Sequence, residues 1–117
     1  MPESGRHSFD EPDERVELAG GMVVSETVTL GGVVAQRSTH APNWRWSVHS
    51  SPEVGEPSCP KTHVGVIVSG RMWVEPATGE GFEAGAGDFV VIQPGHDAWT
   101  IGGEAAVLID IDQSRPD

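Results

Sequence analysis

Apolar residues in this 117-residue chain recur at every second position, in short runs that glycine or proline closes. Side chains of a strand alternate between two faces, so runs of this kind read as β-strands with one face buried. Met22 to Leu30 sets Met22, Val24, Val28 and Leu30 on one face and Ser25, Thr27 and Thr29 on the other. Gly31-Gly32 then turns the chain into Val33 to Ser38. Trp44 to Ser50 alternates again, His63 to Ser69 is rich in β-branched residues, and Ser69-Gly70 turns into Arg71 to Glu75. Phe89 to Ile92, Trp99 to Ile101 and Ala105 to Ile111 complete the series. No window carries apolar residues at helical spacing behind a cap, so no helix is expected. Eight or nine short strands, with 15 glycines and 9 prolines to turn between them, predict an all-β domain, a small barrel or sandwich of jelly-roll type.

Residues 1–19 carry six acids (Glu3, Asp10, Glu11, Asp13, Glu14, Glu17) against two arginines, and Pro2, Gly5 and Pro12 interrupt them. Low hydrophobicity with high charge does not offset the entropy of ordering, so a flexible acidic tail is expected, from which Arg15 to Leu18 could add a strand. The barrel is expected over residues 20–112, followed by a short polar C-terminal tail, 113–117. A domain of this size buries roughly two-thirds of its unfolded surface, enough for a core without disulfides. Its single cysteine, Cys59, cannot form one within the chain, which fits a reducing, cytoplasmic setting. No apolar run of signal-peptide type opens the sequence, and none reaches the roughly 20 residues of a membrane span. The net charge of −11 makes nucleic acid and anionic membranes poor partners, since the chain cannot replace counterions on a phosphate backbone. A homodimer is expected, because exposed edge strands and four tryptophans in so small an acidic sandwich gain by pairing.

Two segments carry a more specific signal. The first runs Cys59-Pro60-Lys61-Thr62-His63-Val64-Gly65-Val66-Ile67-Val68-Ser69-Gly70-Arg71-Met72, and the second Gly85-Ala86-Gly87-Asp88-Phe89-Val90-Val91-Ile92-Gln93-Pro94-Gly95-His96-Asp97-Ala98-Trp99. Together they resemble the two motifs of the cupin superfamily, G-x5-H-x-H-x3,4-E-x6-G and G-x5-P-x-G-x2-H-x3-N. The turns at Ser69-Gly70, Gly87-Asp88 and Pro94-Gly95 fall at the family's spacing. The ligand slots do not hold the family's residues. Counted from Gly70, the glutamate slot falls on His63 and the histidine slots on Cys59 and Pro57. Counted from Gly87, the last histidine slot falls on Ala98, or on Asp97 if the turn is one residue shorter, with His96 beside it. Trp44-Arg45-Trp46-Ser47 together with Cys59, His63 and the turn around His96 is also similar to a subgroup of small stand-alone bacterial cupins.

The resemblance implies a double-stranded jelly roll whose lumen holds a compact organic molecule. Strand parity turns His63, Gly65 and Ile67 toward that lumen. His49, Cys59, His63 and His96 are the candidate metal ligands, and imidazole with thiolate suits zinc, iron, nickel or copper rather than magnesium or calcium. His63 and His96 are also the candidate catalytic groups, as general bases if no metal is bound. Arg45, Trp46 and Trp99 are candidate substrate-binding residues, with Arg45 the anchor for a carboxylate or enolate if its face looks inward. Each has a plainer alternative: a core histidine bonded to its neighbour, a cysteine buried as a small hydrophobe, a turn histidine, core tryptophans, a solvent-facing arginine. His40 and His7 read as loop and tail residues. Asp97 reads either as a carboxylate orienting His96 or as an ordinary turn residue. No nucleotide cofactor is implied, since no helix follows Gly85-Ala86-Gly87 and no Walker sequence occurs. Two functions follow from the resemblance: a divalent-metal enzyme of isomerase, oxygenase, decarboxylase or cyclase type, or a metal-free module that binds a small metabolite or regulates.

Overall fold

The computed structural model describes residues 4–111. The expected C-terminal tail, 113–117, lies outside that range. Nine strands form, β1 (Glu14–Leu18), β2 (Val23–Leu30), β3 (Val33–His40), β4 (His63–Ser69), β5 (Arg71–Glu75), β6 (Phe82–Gly85), β7 (Phe89–Ile92), β8 (Asp97–Ile101) and β9 (Ala106–Ile111). They make two antiparallel sheets, a six-stranded one ordered β1-β2-β3-β9-β4-β7 and a three-stranded one ordered β6-β5-β8. The all-β barrel that the sequence predicts is therefore present. Arg15 to Leu18, the strand the sequence leaves open, falls within β1, which pairs with β2 from Glu14↔Thr27 to Leu18↔Val23. The segment before it also touches the barrel: Asp13 accepts the Thr29 N–H through Oδ2, and Arg37 on β3 pairs with Asp10 while lying over the Phe9 ring.

The core follows the alternation. Ile67, Met72, Val74, Ala84, Ile92, Ala98 and Leu108 point between the sheets and are almost fully buried. On β2 the buried face begins with Val23 and Ser25, while Met22 and Val24 are half-buried. The start of β2 therefore turns Val23 and Ser25 toward the cavity, while Val28 on the opposite, richer apolar face is buried as well. Backbone crowding fixes two glycines. A Cβ on Gly65 would stand 1.9 Å from the Ile109 carbonyl oxygen, so β4 and β9 close on each other only because that side chain is absent. Gly70, at φ +72, makes the turn into β5, and a Cβ there would meet the Ala105 carbonyl oxygen at 2.1 Å.

Residues 44–54 correct the sequence reading. Trp44 to Ser50 is not a strand. Arg45 makes one bridge to Trp99, and the chain then winds into a wide helical turn, Trp46–Ser50, and a one-turn helix, Ser51–Val54. Pro52 sits in the first turn of that helix, where its missing N–H costs nothing, and Gly55 ends it in the left-handed conformation. The period-two pattern from Trp44 to Trp46 is real, since both rings are buried and Arg45 between them is exposed, but it stops there. His40 is corrected as well. It ends β3 rather than lying in a loop, with its ring buried against Trp44 and its Nδ1 bonded to the Ala106 carbonyl at 3.1 Å. Burial pushes this imidazole down to about 4, the behaviour of a neutral core histidine.

Candidate functional site

Three of the predicted ligands converge. One ligand atom each from Cys59, His63 and His96 lies within 4.8 Å of the other two, and among the described residues this is the one such group of three. Main-chain pairing holds two of them together. The Cys59 N–H bonds the His96 carbonyl at 2.9 Å, and the Gly95 N–H bonds the Cys59 carbonyl at 2.7 Å. Cys59, buried at 4 % exposure, thus sits rigidly against the Pro94-Gly95 turn. His63 arrives from the first residue of β4, on the same face as the buried Gly65 and Ile67, as strand parity requires.

Each imidazole is oriented by a bond on its outer nitrogen. His63 Nδ1 meets Asp110 Oδ2 at 2.9 Å, and His96 Nδ1 meets the Gln93 carbonyl at 2.7 Å. With Nδ1–H donated outward, both rings keep the Nε2 lone pair for the cluster, the arrangement that metal-binding histidines use to fix tautomer and direction. Cys59 Sγ is 3.9 Å from His63 Nε2. In a tetrahedral zinc site the corresponding sulfur–nitrogen separation is about 3.5 Å, so a shift of a few tenths of an ångström closes the set. The donors fit a thiophilic or borderline transition metal. Asp110 adds a second indication, because its Oδ1 is buried without a hydrogen-bond partner among the described residues.

The electrostatics agree with the geometry. Burial pushes the Cys59 thiol up, but bonds from His63 and His96, a backbone N–H at Lys61 and the His96 charge outweigh it and hold the thiol at about 6. Burial likewise pushes His63 down, and the bonds and charges of Asp110 and Cys59 reverse this and raise it to about 9. Without a metal these opposite shifts favour thiolate at Cys59 and imidazolium at His63, whose Nε2 would give up its proton to an ion.

Of the other candidates, His49 stands apart. The turn at 46–50 directs its Nδ1 back to accept the Arg45 N–H at 3.0 Å. Arg45 and Trp99 lie outside the barrel: the guanidinium packs 4.2 Å over the Trp99 ring and pairs with Asp97, and Trp99 stacks on Trp73. Asp97 orients no imidazole. It accepts bonds from the Ser47 N–H and hydroxyl and from Arg45, and after the opposing cost of burial these bonds hold its carboxyl below the usual range. Trp46 does face inward, lining a cavity of about 150 Å³ together with Trp44, Val23, Ser25, Cys59 and His63. Ala98, the strict-count ligand slot, is buried in the core. Asp110 went unrecognised in the sequence, although a signal existed: it is the one acid in the apolar run Ala106 to Ile111, and it has the inward parity of Ala106 and Leu108.

No protein-family model matches the sequence, and no curated protein matches it. Solved structures do match in shape. An uncharacterised conserved protein with a double-stranded β-helix domain from Klebsiella pneumoniae aligns over 93 % of this chain and 89 % of its own, with 20 % identity and a TM-score of 0.60. The cupin domain of Schizosaccharomyces pombe Cnp3 aligns over 77 % of this chain and 63 % of its own, with 14 % identity and a TM-score of 0.57. An oxalate oxidase aligns over 77 % of this chain and 50 % of its own, with 16 % identity and a TM-score of 0.54.

Proposed function

Taking the cupin fold that these likenesses show as the premise, we propose that the barrel binds a divalent transition metal, zinc, iron, nickel or copper, through Cys59, His63 and His96, and offers it to a compact organic molecule in the adjoining cavity. The observation that carries this proposal is the convergence of three soft or borderline donors on the wall of that cavity. A metal held by three protein ligands keeps a position for water or substrate and polarises an oxygen bound there. The chain's own residues do the rest. Asp110 and the Gln93 carbonyl fix the two imidazoles, the Cys59–His96 pairing fixes the thiolate, and Trp44 and Trp46 exclude water from the inner wall. Isomerase, oxygenase, decarboxylase and cyclase chemistry are the enzyme classes proposed. The test is metal content of the purified protein: stoichiometric metal that disappears in His63→Ala supports the proposal, and a metal-free protein whose melting ignores chelator and added zinc refutes it.

The alternative is a metal-free small-molecule module. It is favoured by the line Cys59···His63···Asp110, which is complete without an ion and would let His63 exchange a proton with a ligand.

We also propose that the protein pairs with a second copy of itself through the outer face of β4 and β7. Val66, Val68, Phe89 and Val91 are exposed there, Phe89 at 67 %, and β7 is a free sheet edge. In a chain of net charge −11, two copies repel over most of their surface, and this uncharged strip is where they can meet. Light scattering that gives the monomer mass overturns this.

A further inference from the structure

The cavity has two unlike ends, and both bear on what it holds. Its inner part is walled by the buried residues Val23, Trp44 and Trp46 and by Ser25, whose hydroxyl is 4 % exposed as a residue and has no hydrogen-bond partner among the described residues. A buried hydroxyl without a partner costs free energy comparable to a lost hydrogen bond, so its place on the cavity wall points to a polar group in the occupant. The mouth is formed by exposed residues, Leu18, Glu53, Val54 and Lys61.

Lys61 is the one lysine of the sequence. Arg15, Arg37, Arg45 and Arg71 each pair with a carboxylate, whereas Arg6 and Lys61 pair with none among the described residues, and of these two it is Lys61 that lines the cavity. Glu53, also at the mouth, accepts the Ala19 N–H at 3.0 Å. In so acidic a chain, a cation left unpaired at the rim of an apolar cavity selects for negative charge on the ligand. The body of the ligand must be small, because a cavity of about 150 Å³ holds a molecule of roughly benzene size.

We infer that the barrel takes a compact monocarboxylate, with a ring or short apolar body between Trp44, Trp46 and Val23, a hydrogen-bonding group reaching Ser25, and its carboxylate at the mouth on Lys61. The cation that reads this carboxylate is Lys61 and not Arg45, which is engaged outside the barrel. The inference rests on the cavity as a small-molecule site, but not on the metal.

Benzoate, benzyl alcohol and benzylamine serve as probes of similar size and three charges, and 4-hydroxybenzoate against benzoate tests the group that reaches Ser25: it is expected to bind more tightly, and equal or weaker binding overturns the Ser25 contact. Each is titrated into the full chain, once chelator-treated and once zinc-loaded, with Trp44 and Trp46 fluorescence and calorimetry as readouts. Benzoate is expected to bind tightest in both forms, to weaken by about tenfold or more in Lys61→Met, the loss of one charged hydrogen bond, and to be lost in Ser25→Leu, which fills the cavity. Benzyl alcohol is expected to be indifferent to Lys61→Met. Benzoate binding that equals benzyl alcohol binding, or that ignores Lys61→Met, overturns the inference. Preferential binding of benzylamine overturns it too and transfers charge selection to Glu53. Zinc that fails to load while benzoate still selects Lys61 removes the metal proposal and leaves this one standing.

Discussion

The two halves of the barrel are built to opposite ends. Around β5, β6 and β8 the inward positions carry Met72, Val74, Ala84 and Ala98, which with Ile67 and Ile92 are almost fully buried. Around β2 and β3 the inward positions carry Ser25, Gln36 and Ser38, and a cavity remains. Both halves are built of antiparallel strands, and side-chain volume at alternate positions separates the packed one from the hollow one. The donors stand at the boundary. Cys59, His63 and His96 have the rigidity of the packed half behind them and the open space of the other in front.

The largest effect that tests this contrast belongs in the packed half. Ile67 is fully buried, and Ile67→Ala is expected to cost about 2–5 kcal/mol in a denaturant titration. A cost near zero would mean that the two halves are equally loose. Next, Asp110→Asn is expected to weaken metal binding by about 10–100-fold, as loss of an orienting carboxylate does. Equal metal affinity in a competition assay would show that Asp110 does not position His63.

A third test uses pH, on metal-free protein. Cys59 titrates at about 6 in the fold against an ordinary 9.0, so its contribution to stability is full above 9.0 and fades as pH falls toward 6. His63 titrates at about 9 against an ordinary 6.5, so its contribution is full below 6.5 and fades as pH rises toward 9. Between these limits the two slopes oppose each other, and unfolding free energy is expected to be nearly flat. Cys59→Ser leaves only the His63–Asp110 pair, so its stability should fall as pH rises through this window. Parallel curves for the two proteins would contradict the thiolate–imidazolium assignment. The smallest effect belongs in the hollow half. Ser25→Ala removes a buried hydroxyl that has no partner among the described residues and, in ligand-free protein, is expected to raise stability by about 1 kcal/mol. A loss of stability instead would place a bound water or polar neighbour on Ser25.

Much of this was legible in the sequence. β4, β5 and β7 begin and end where alternation and glycine turns put them. β6 was not foreseen, because Phe82 is its one large apolar residue between Gly81 and Gly85. The cupin spacing leads to Cys59 and His63, whereas its last histidine slot falls on Ala98, or on Asp97 with a turn one residue shorter, and His96 stands only beside it. His49 and Arg45 mislead for one reason: alternation gives them faces on a strand at 44–50 that does not form, and which way those side chains point depends on a helical turn that residue alternation cannot report. Trp99 does lie on a strand, β8, but faces out toward Trp73 and Arg45. Asp110 was overlooked because its partner lies 47 residues away in the chain, across a strand pairing invisible to local pattern.

The Cys59–His96 main-chain bridge has a kinetic consequence. Two of the three donors belong to one hydrogen-bonded unit, so their backbones stay side by side and only a side-chain rotation or an opening of the unit parts them. Both donors are almost fully buried, which opposes rotation, so release of an ion held there should follow separation of the Pro94-Gly95 turn from the segment before β4, a local opening far slower than side-chain motion. Exchange of the bound ion, followed with an isotope or a competing chelator, should therefore keep pace with amide hydrogen exchange at Cys59 and Gly95.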